Sequence, residues 1–186
     1  MSSLNRSIPA VNFDLQPNLR AELIELRPLR ADDWNSLFEV ASDPLIWEQH
    51  PSSDRFKEEV FREFFREAMD SKGALLVLDR KSQNTIGSSR YFGLDSRKSE
   101  IEIGWTFLAR SYWGGKYNGE LKRLMLEHAF KYVDSVIFKI GATNFRSQKA
   151  NEKIGGVMIE RREKPNPEGN LVEHVYQIKR QGTELI

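Results

Sequence analysis

Leu108-Ala109-Arg110-Ser111-Tyr112-Trp113-Gly114-Gly115-Lys116-Tyr117-Asn118-Gly119-Glu120 leaves a strand and enters a helix through three glycines. Glycine lets a backbone come close to an anion, and the free amides at a helix start carry partial positive charge. A diphosphate suits such a loop well. Glycines at a strand-to-helix junction also occur for structural reasons alone, so the loop takes its meaning from its flanks. The first strand is followed by no glycine-rich turn, which argues against a dinucleotide-binding fold.

Upstream, residues 99–107 alternate, with Glu100, Glu102 and Gly104 on one side and Ile101, Ile103 and Trp105 on the other. That period predicts a strand. Residues 74–78 are an unbroken apolar run, expected to be a strand buried on both faces. A further strand is expected at 85–92, after the turn formers Ser82, Gln83 and Asn84. These three strands form an antiparallel meander. Downstream, Leu121, Leu124, Met125, His128 or Ala129, and Tyr132 share a stripe that predicts a helix over 121–133. A strand at 136–140 follows, then a helix over 147–153 closing at Gly155-Gly156. Residues 157–162 and 172–179 pair as a hairpin. Toward the N-terminus, residues 22–27 read as a strand stopped by Pro28. Helical spacing covers 31–42 and 56–69, and Asp43-Pro44 opens a short helix between them. Residues 1–20 read as an irregular lead-in. The sum is one α+β layered domain over 1–186, a mixed sheet covered by helices.

The bulk composition removes several functions. With 39% hydrophobic and 30% charged residues, the chain has the make-up of a soluble globular protein. No window approaches the roughly 20 apolar residues of a membrane helix. The first residues lack the apolar core of a secretion signal, and a cytoplasmic setting is the default expectation. There are no cysteines, which excludes disulfides, a thiolate zinc site and a cysteine nucleophile. The 28 basic and 27 acidic residues are interspersed, giving net +1, so nucleic acid is not an expected partner. His50, His128 and His174 show no metal-ligand spacing, and no metal is expected.

The order of several short motifs is more specific than any one of them. Leu26-Arg27-Pro28-Leu29 is followed by Asp32-Asp33, Asp43-Pro44 and Glu102-Ile103-Gly104-Trp105. Tyr112-Trp113-Gly114 and Glu120 come next, then Asn144, Ser147 and Glu152-Lys153-Ile154-Gly155. Over about residues 22–179 the chain resembles the GNAT acetyltransferases, and within them the RimJ/RimL-like branch that acetylates ribosomal-protein N-termini. The loop departs from the family's Gly-x-Gly-x-Gly/Ala. Lys116 and Asn118 stand where small residues belong, so Lys116 adds a cation beside the pyrophosphate or the glycine has moved to Gly115.

The resemblance implies a GNAT fold, a mixed, mostly antiparallel sheet of about seven strands splayed between strands four and five. It implies acetyl-CoA as co-substrate and a primary amine, on a protein N-terminus or a small molecule, as acceptor. Pantetheine would lie in the splay against backbone groups of Phe107 and Leu108. The pyrophosphate would sit on the loop Trp113, Gly114, Gly115, Lys116, Tyr117, Asn118 and Gly119. Asn144 would hydrogen-bond the pantetheine. Ser147 or a water would protonate the departing thiolate, because Asn151 occupies the place of the family's usual tyrosine. An ammonium must lose a proton before it attacks, so a carboxylate base is expected. Glu102 is the candidate, with Glu100 in reserve. Trp47 and His50, with Glu100, fall where the fold builds its acceptor pocket. A homodimer is common in this family.

Read as residues alone, these positions keep plainer meanings. Glu102 fits a solvent-facing strand residue or a binder of basic substrates. Asn144 or Ser147 fits a helix cap, and Trp34, Trp47 and Phe61 fit the core. A silent acyl-CoA-binding regulatory domain, or a ligand-free interaction protein of the same fold, would share the pattern.

Overall fold

A computed structural model describes residues 12–165 and 171–180. Its strands are β1 (Leu19–Arg20), β2 (Ile24–Pro28), β3 (Ala74–Asp79), β4 (Thr85–Asp95), β5 (Glu100–Leu108), β6 (Ser135–Gly141), β7 (Val157–Lys164) and β8 (Leu171–Lys179). The helices are α1 (Trp34–Ala41), α2 (Glu58–Asp70), α3 (Lys116–Ala129) and α4 (Phe145–Glu152). All eight strands form one sheet in the order β1-β2-β3-β4-β5-β6-β8-β7. Every pairing is antiparallel except β5 with β6.

The continuous apolar run of β3 follows from coverage on both faces, and each of its positions is buried. Leu75 and Val77 join Leu121 and Met125 of α3 in one core, while Leu76 and Leu78 join Phe61 and Phe64 of α2 in the other. Leu75 and Leu76 are both fully buried, which contributes roughly 2 kcal/mol each by area.

The expected meander is β3-β4-β5, and the expected hairpin is β7-β8, whose connection at 166–170 lies outside the described residues. Four expectations need correction. The sheet has eight strands, because Leu19–Arg20, expected to be irregular, pairs with Leu26 and Glu25 of β2. The segment opening at Asp43-Pro44 is a 3-10 turn, with Leu45 N donating to Asp43 Oδ1. Helix α3 begins at Lys116, not Leu121, so the last glycine of the loop lies inside its first turns. Helix α4 begins at Phe145, not Ser147, and Asn144 is its cap, accepting from Ser147 N at 3.1 Å.

Two features of β5 position the site. Its parallel register with β6 runs only through Glu100–Ser135, Ile101–Val136 and Glu102–Ile137, after which the strands part. Its register with β4 shifts between Arg90–Gly104 and Ser88–Phe107, so β5 carries one extra residue there. Trp105 sits in that bulge at φ 52, in the left-handed region that L residues avoid at a cost of about 1–2 kcal/mol.

Candidate active site

The parting of β5 and β6 opens a cleft with two lobes. Trp47, His50, Thr106, Asn118, Asn144 and Ser147 line both. The inner lobe adds Gly104, Trp105, Lys122, Phe138, Lys139 and Asn151. The outer lobe adds Phe107, Leu108, Trp113, Gly114 and Arg146.

The outer lobe ends at the start of α3. Gly115 is the N-cap residue and supplies no side-chain cap, so among the described residues the first amides of this fourteen-residue helix have no side-chain acceptor. Gly114 has φ 69 with open space where a Cβ would stand. An anion can therefore approach this backbone closely. The Arg146 guanidinium lies 3.8 Å from the Trp113 ring centroid and donates to the Ile46 carbonyl at 2.9 Å. It adds a cation to this end of the cleft. The Trp113 indole donates to the Leu108 carbonyl at 2.8 Å, which fixes the loop to the end of β5. Glu120 accepts from the amides of Glu22, Leu23 and Ile24, tying α3 to the strand beside it.

The inner lobe is walled by two helix faces. Asn118 and Lys122 are one turn apart on α3, and Ser147 and Asn151 one turn apart on α4. Lys122 is 8% exposed, and its Nζ donates to Thr106 Oγ1 at 2.7 Å and stands 5.1 Å from the Phe138 ring centroid. Burial, with no carboxylate partner among the described residues, pushes its ammonium from 10.5 down to about 7. On the third wall, His50 is held neutral. Burial, then the charge of Arg55, drives its imidazole down to about 3. The Ser52 amide donates to His50 Nδ1 at 2.9 Å, and Arg55 lies 4.7 Å from the Phe64 ring centroid.

Residues 24–157 match the family model described as an acetyltransferase (GNAT) domain. The chain belongs to the GNAT acetyltransferase family. It is therefore an N-acetyltransferase enzyme by family. No curated protein matches its sequence. Among solved structures, a GNAT-family acetyltransferase from Bacillus anthracis superposes with TM-score 0.73 at 23% identity, covering 88% of this chain and 98% of that one. A GCN5-related N-acetyltransferase from Brucella melitensis gives 0.74 at 17%, covering 88% and 79%. The ribosomal-protein-S5-alanine acetyltransferase from Vibrio fischeri gives 0.66 at 15%, covering 88% and 96%. At these identities the likeness is one of fold.

Within this GNAT cleft the structure gathers Phe107, Leu108, Trp113, Gly114, Asn118, Asn144, Ser147, Trp47 and His50. Gly115 and Lys116 are exposed at the helix start beside it, and Gly119 follows on the first turns. Tyr117 turns aside, its hydroxyl donating to Asp79 Oδ2 at 2.8 Å. Glu100 and Glu102 are not among the lining residues. The Glu100 carboxylate accepts from Ser135 Oγ at 3.2 Å and from Gln177 Nε2 at 2.9 Å, at the base of the splay. Glu102 is 6% exposed and ion-paired with Lys139, which does line the inner lobe. A Cβ on Gly104 would stand 3.3 Å from Glu102 Oε1, so the missing side chain leaves that carboxylate close to the cleft. Lys122, Arg146 and Arg55 did not emerge from the sequence. Asn118 and Lys122 at four-residue spacing was the available signal, hidden by starting the helix at Leu121. Among the described residues no group of three or more His, Asp or Glu side chains could hold a metal, and no helix is long and apolar enough to cross a membrane.

Proposed function

We propose that this chain transfers the acetyl group of acetyl-CoA to a primary amine by direct attack within a ternary complex. The observation that carries this is the continuity of the splayed cleft with the uncapped start of α3. Acetyl-CoA supplies the activated thioester. The amides from Gly114 to Gly119 hold its diphosphate, helped by Arg146 and by the Lys116 ammonium at the rim. Phe107 and Leu108 offer backbone groups along the edge of β5 that β6 has left. Asn144 and Ser147 face the pantetheine end, with Ser147 as a hydrogen-bond donor toward the sulfur. The acceptor amine enters against Trp47 and His50, whose neutral imidazole does not repel a cationic substrate.

Glu102 takes the proton from the attacking amine, reached past Gly104 directly or through water. Glu100 holds the base of the splay beneath it and is the reserve carboxylate for the acceptor. The new N–C bond forms as the C–S bond breaks, and amide and thiol leave separately. The motif order and the Vibrio fischeri neighbour favour a protein N-terminus as acceptor, as in the RimJ/RimL-like branch. We place the enzyme in the cytoplasm, as a single domain and a homodimer. The dimer is supported by edge strand β7, where Val157, Met158 and Ile159 are each at least half exposed.

A thermal-shift titration with acetyl-CoA, run beside a thiol-release assay on a panel of amines and N-terminal peptides, tests this function. Ligand at about 100 times its dissociation constant should add roughly 2.7 kcal/mol of stability. Binding without thiol release would leave a silent acyl-CoA-binding domain. No shift at millimolar ligand would leave an interaction protein.

A further inference from the structure

We propose that Lys122 is the acid that returns a proton to the coenzyme A sulfur as the acetyl group departs. The assignment rests on the acetyl-transfer function above and goes beyond it by naming the proton's source.

Position comes first. Helix α3 rises about 1.5 Å per residue, so Lys122 stands roughly 9 Å along the helix from Lys116. It shares its helix face with Asn118, which lines both lobes. A chain anchored by its diphosphate at the start of α3 and running down the cleft brings its far end toward this side chain. Ser147 and Asn151 face it from α4. The reacting sulfur belongs to the ligand that enters along α3, whereas the amine enters from the wall of Trp47 and His50.

Chemistry comes second. A serine hydroxyl that gave up its proton would be left as a strongly basic alkoxide, so Ser147 needs a neighbour to supply the proton. Lys122 sits near its titration point at neutral pH because burial disfavours its charge. Its surroundings do not fix the charge either way. The Thr106 hydroxyl accepts from it and shares a 2.7 Å hydrogen bond with Ser89, and the Phe138 ring lies over it. The charged groups nearby are the Glu102–Lys139 pair from β5 and β6, and Arg55 from the third wall, while His50 there is neutral. None is a carboxylate bonded to Lys122. Arg90, buried behind Trp105 with its centre 4.5 Å from that ring, adds further positive charge.

The step balances. The amine nitrogen forms its bond to the acyl carbon, and the C–S electron pair goes to sulfur. Lys122 gives its proton to that sulfur and is left neutral. The amine's proton passes to Glu102, and exchange with solvent restores both groups.

The test uses the whole chain with Lys122→Met and Lys122→Arg, each first shown to melt cooperatively. In acetic anhydride labelling followed by mass spectrometry, Lys122 of the wild type should be labelled near neutral pH. Coenzyme A should protect it, and adenosine 3′,5′-bisphosphate, which lacks the pantetheine arm, should not. In the thiol-release assay both variants should lose about 100-fold or more in kcat, with KM for acetyl-CoA changed less than about threefold. The wild-type kcat should fall as pH rises through about 7, and that limb should vanish in Lys122→Met. Arginine keeps the charge but cannot release a proton, so wild-type turnover in Lys122→Arg would overturn proton donation. Equal labelling with and without coenzyme A would overturn the placement. A wild type that neither binds coenzyme A nor releases thiol would remove the acetyl-transfer function and this role together. Normal wild-type turnover with an unimpaired Lys122→Met would remove this role alone.

Discussion

Replacing Lys122 by methionine should stabilise the free protein at neutral pH, by an amount that shrinks as pH rises. Methionine keeps most of the stem volume and removes a charge that burial penalises. A fall from 10.5 to about 7 corresponds to a penalty of about 5 kcal/mol, at roughly 1.4 kcal/mol per pH unit. The lost hydrogen bond to Thr106 gives back about 1 kcal/mol. The net gain is on the order of 4 kcal/mol, or about 10 °C in Tm for a chain of this length. The direction with pH follows from proton counting. Below about pH 7 Lys122 is charged in both folded and unfolded chains, and the wild type carries the whole penalty. Between about 7 and 10.5 the unfolded chain holds its proton while the folded chain releases it, so the wild type gains stability with rising pH. Melting curves of both proteins at intervals across that window should therefore converge toward its upper end. A Tm difference that ignores pH, or a methionine variant less stable throughout, would refute the placement of an uncompensated ammonium in this cleft.

Other substitutions separate the parts of the site. Glu102→Gln should lower kcat by about 100-fold with coenzyme A binding retained, measured by thiol release and calorimetry. Full turnover would move the base elsewhere. Arg146→Ala should weaken coenzyme A binding by roughly tenfold and flatten its salt dependence, because one charge-assisted contact is lost. An unchanged dissociation constant would detach that guanidinium from the diphosphate. Ile159→Lys on β7 should shift the protein to monomer in light scattering with its melting curve otherwise intact, and an unaltered mass would relocate the interface.

The sequence made the scaffold legible where local chemistry and long-range burial agree. The short apolar run at 74–78, bounded by turn formers, fits a strand covered on both sides, and β3 is one. The glycines at 114 and 115 mark a turn into a helix for reasons internal to the backbone. The site was less legible, because its decisive features depend on contacts far apart in the chain. Tyr117, Asn118 and Gly119 are weak helix formers, so periodicity starts α3 at Leu121. The true start draws support from Tyr117 bonded to Asp79 and Glu120 bonded to three amides near β2, at separations of 38 to 98 residues. That shift hides the Asn118–Lys122 face. The alternation from Glu100 to Trp105 also reads as a regular strand, and nothing in it announces the left-handed Trp105. Glu102 shows the converse. Its residue type suggests a base and the strand period sets it beside Gly104, but only the fold pairs it with Lys139.

A crystal structure with coenzyme A bears most directly on what this cleft is for. Acetyl transfer here requires the diphosphate oxygens within about 3 Å of amide nitrogens at the start of α3, and the pantetheine between β5 and β6. Coenzyme A bound clear of α3, or a cleft that refuses it at saturating concentration, would contradict that function at its root.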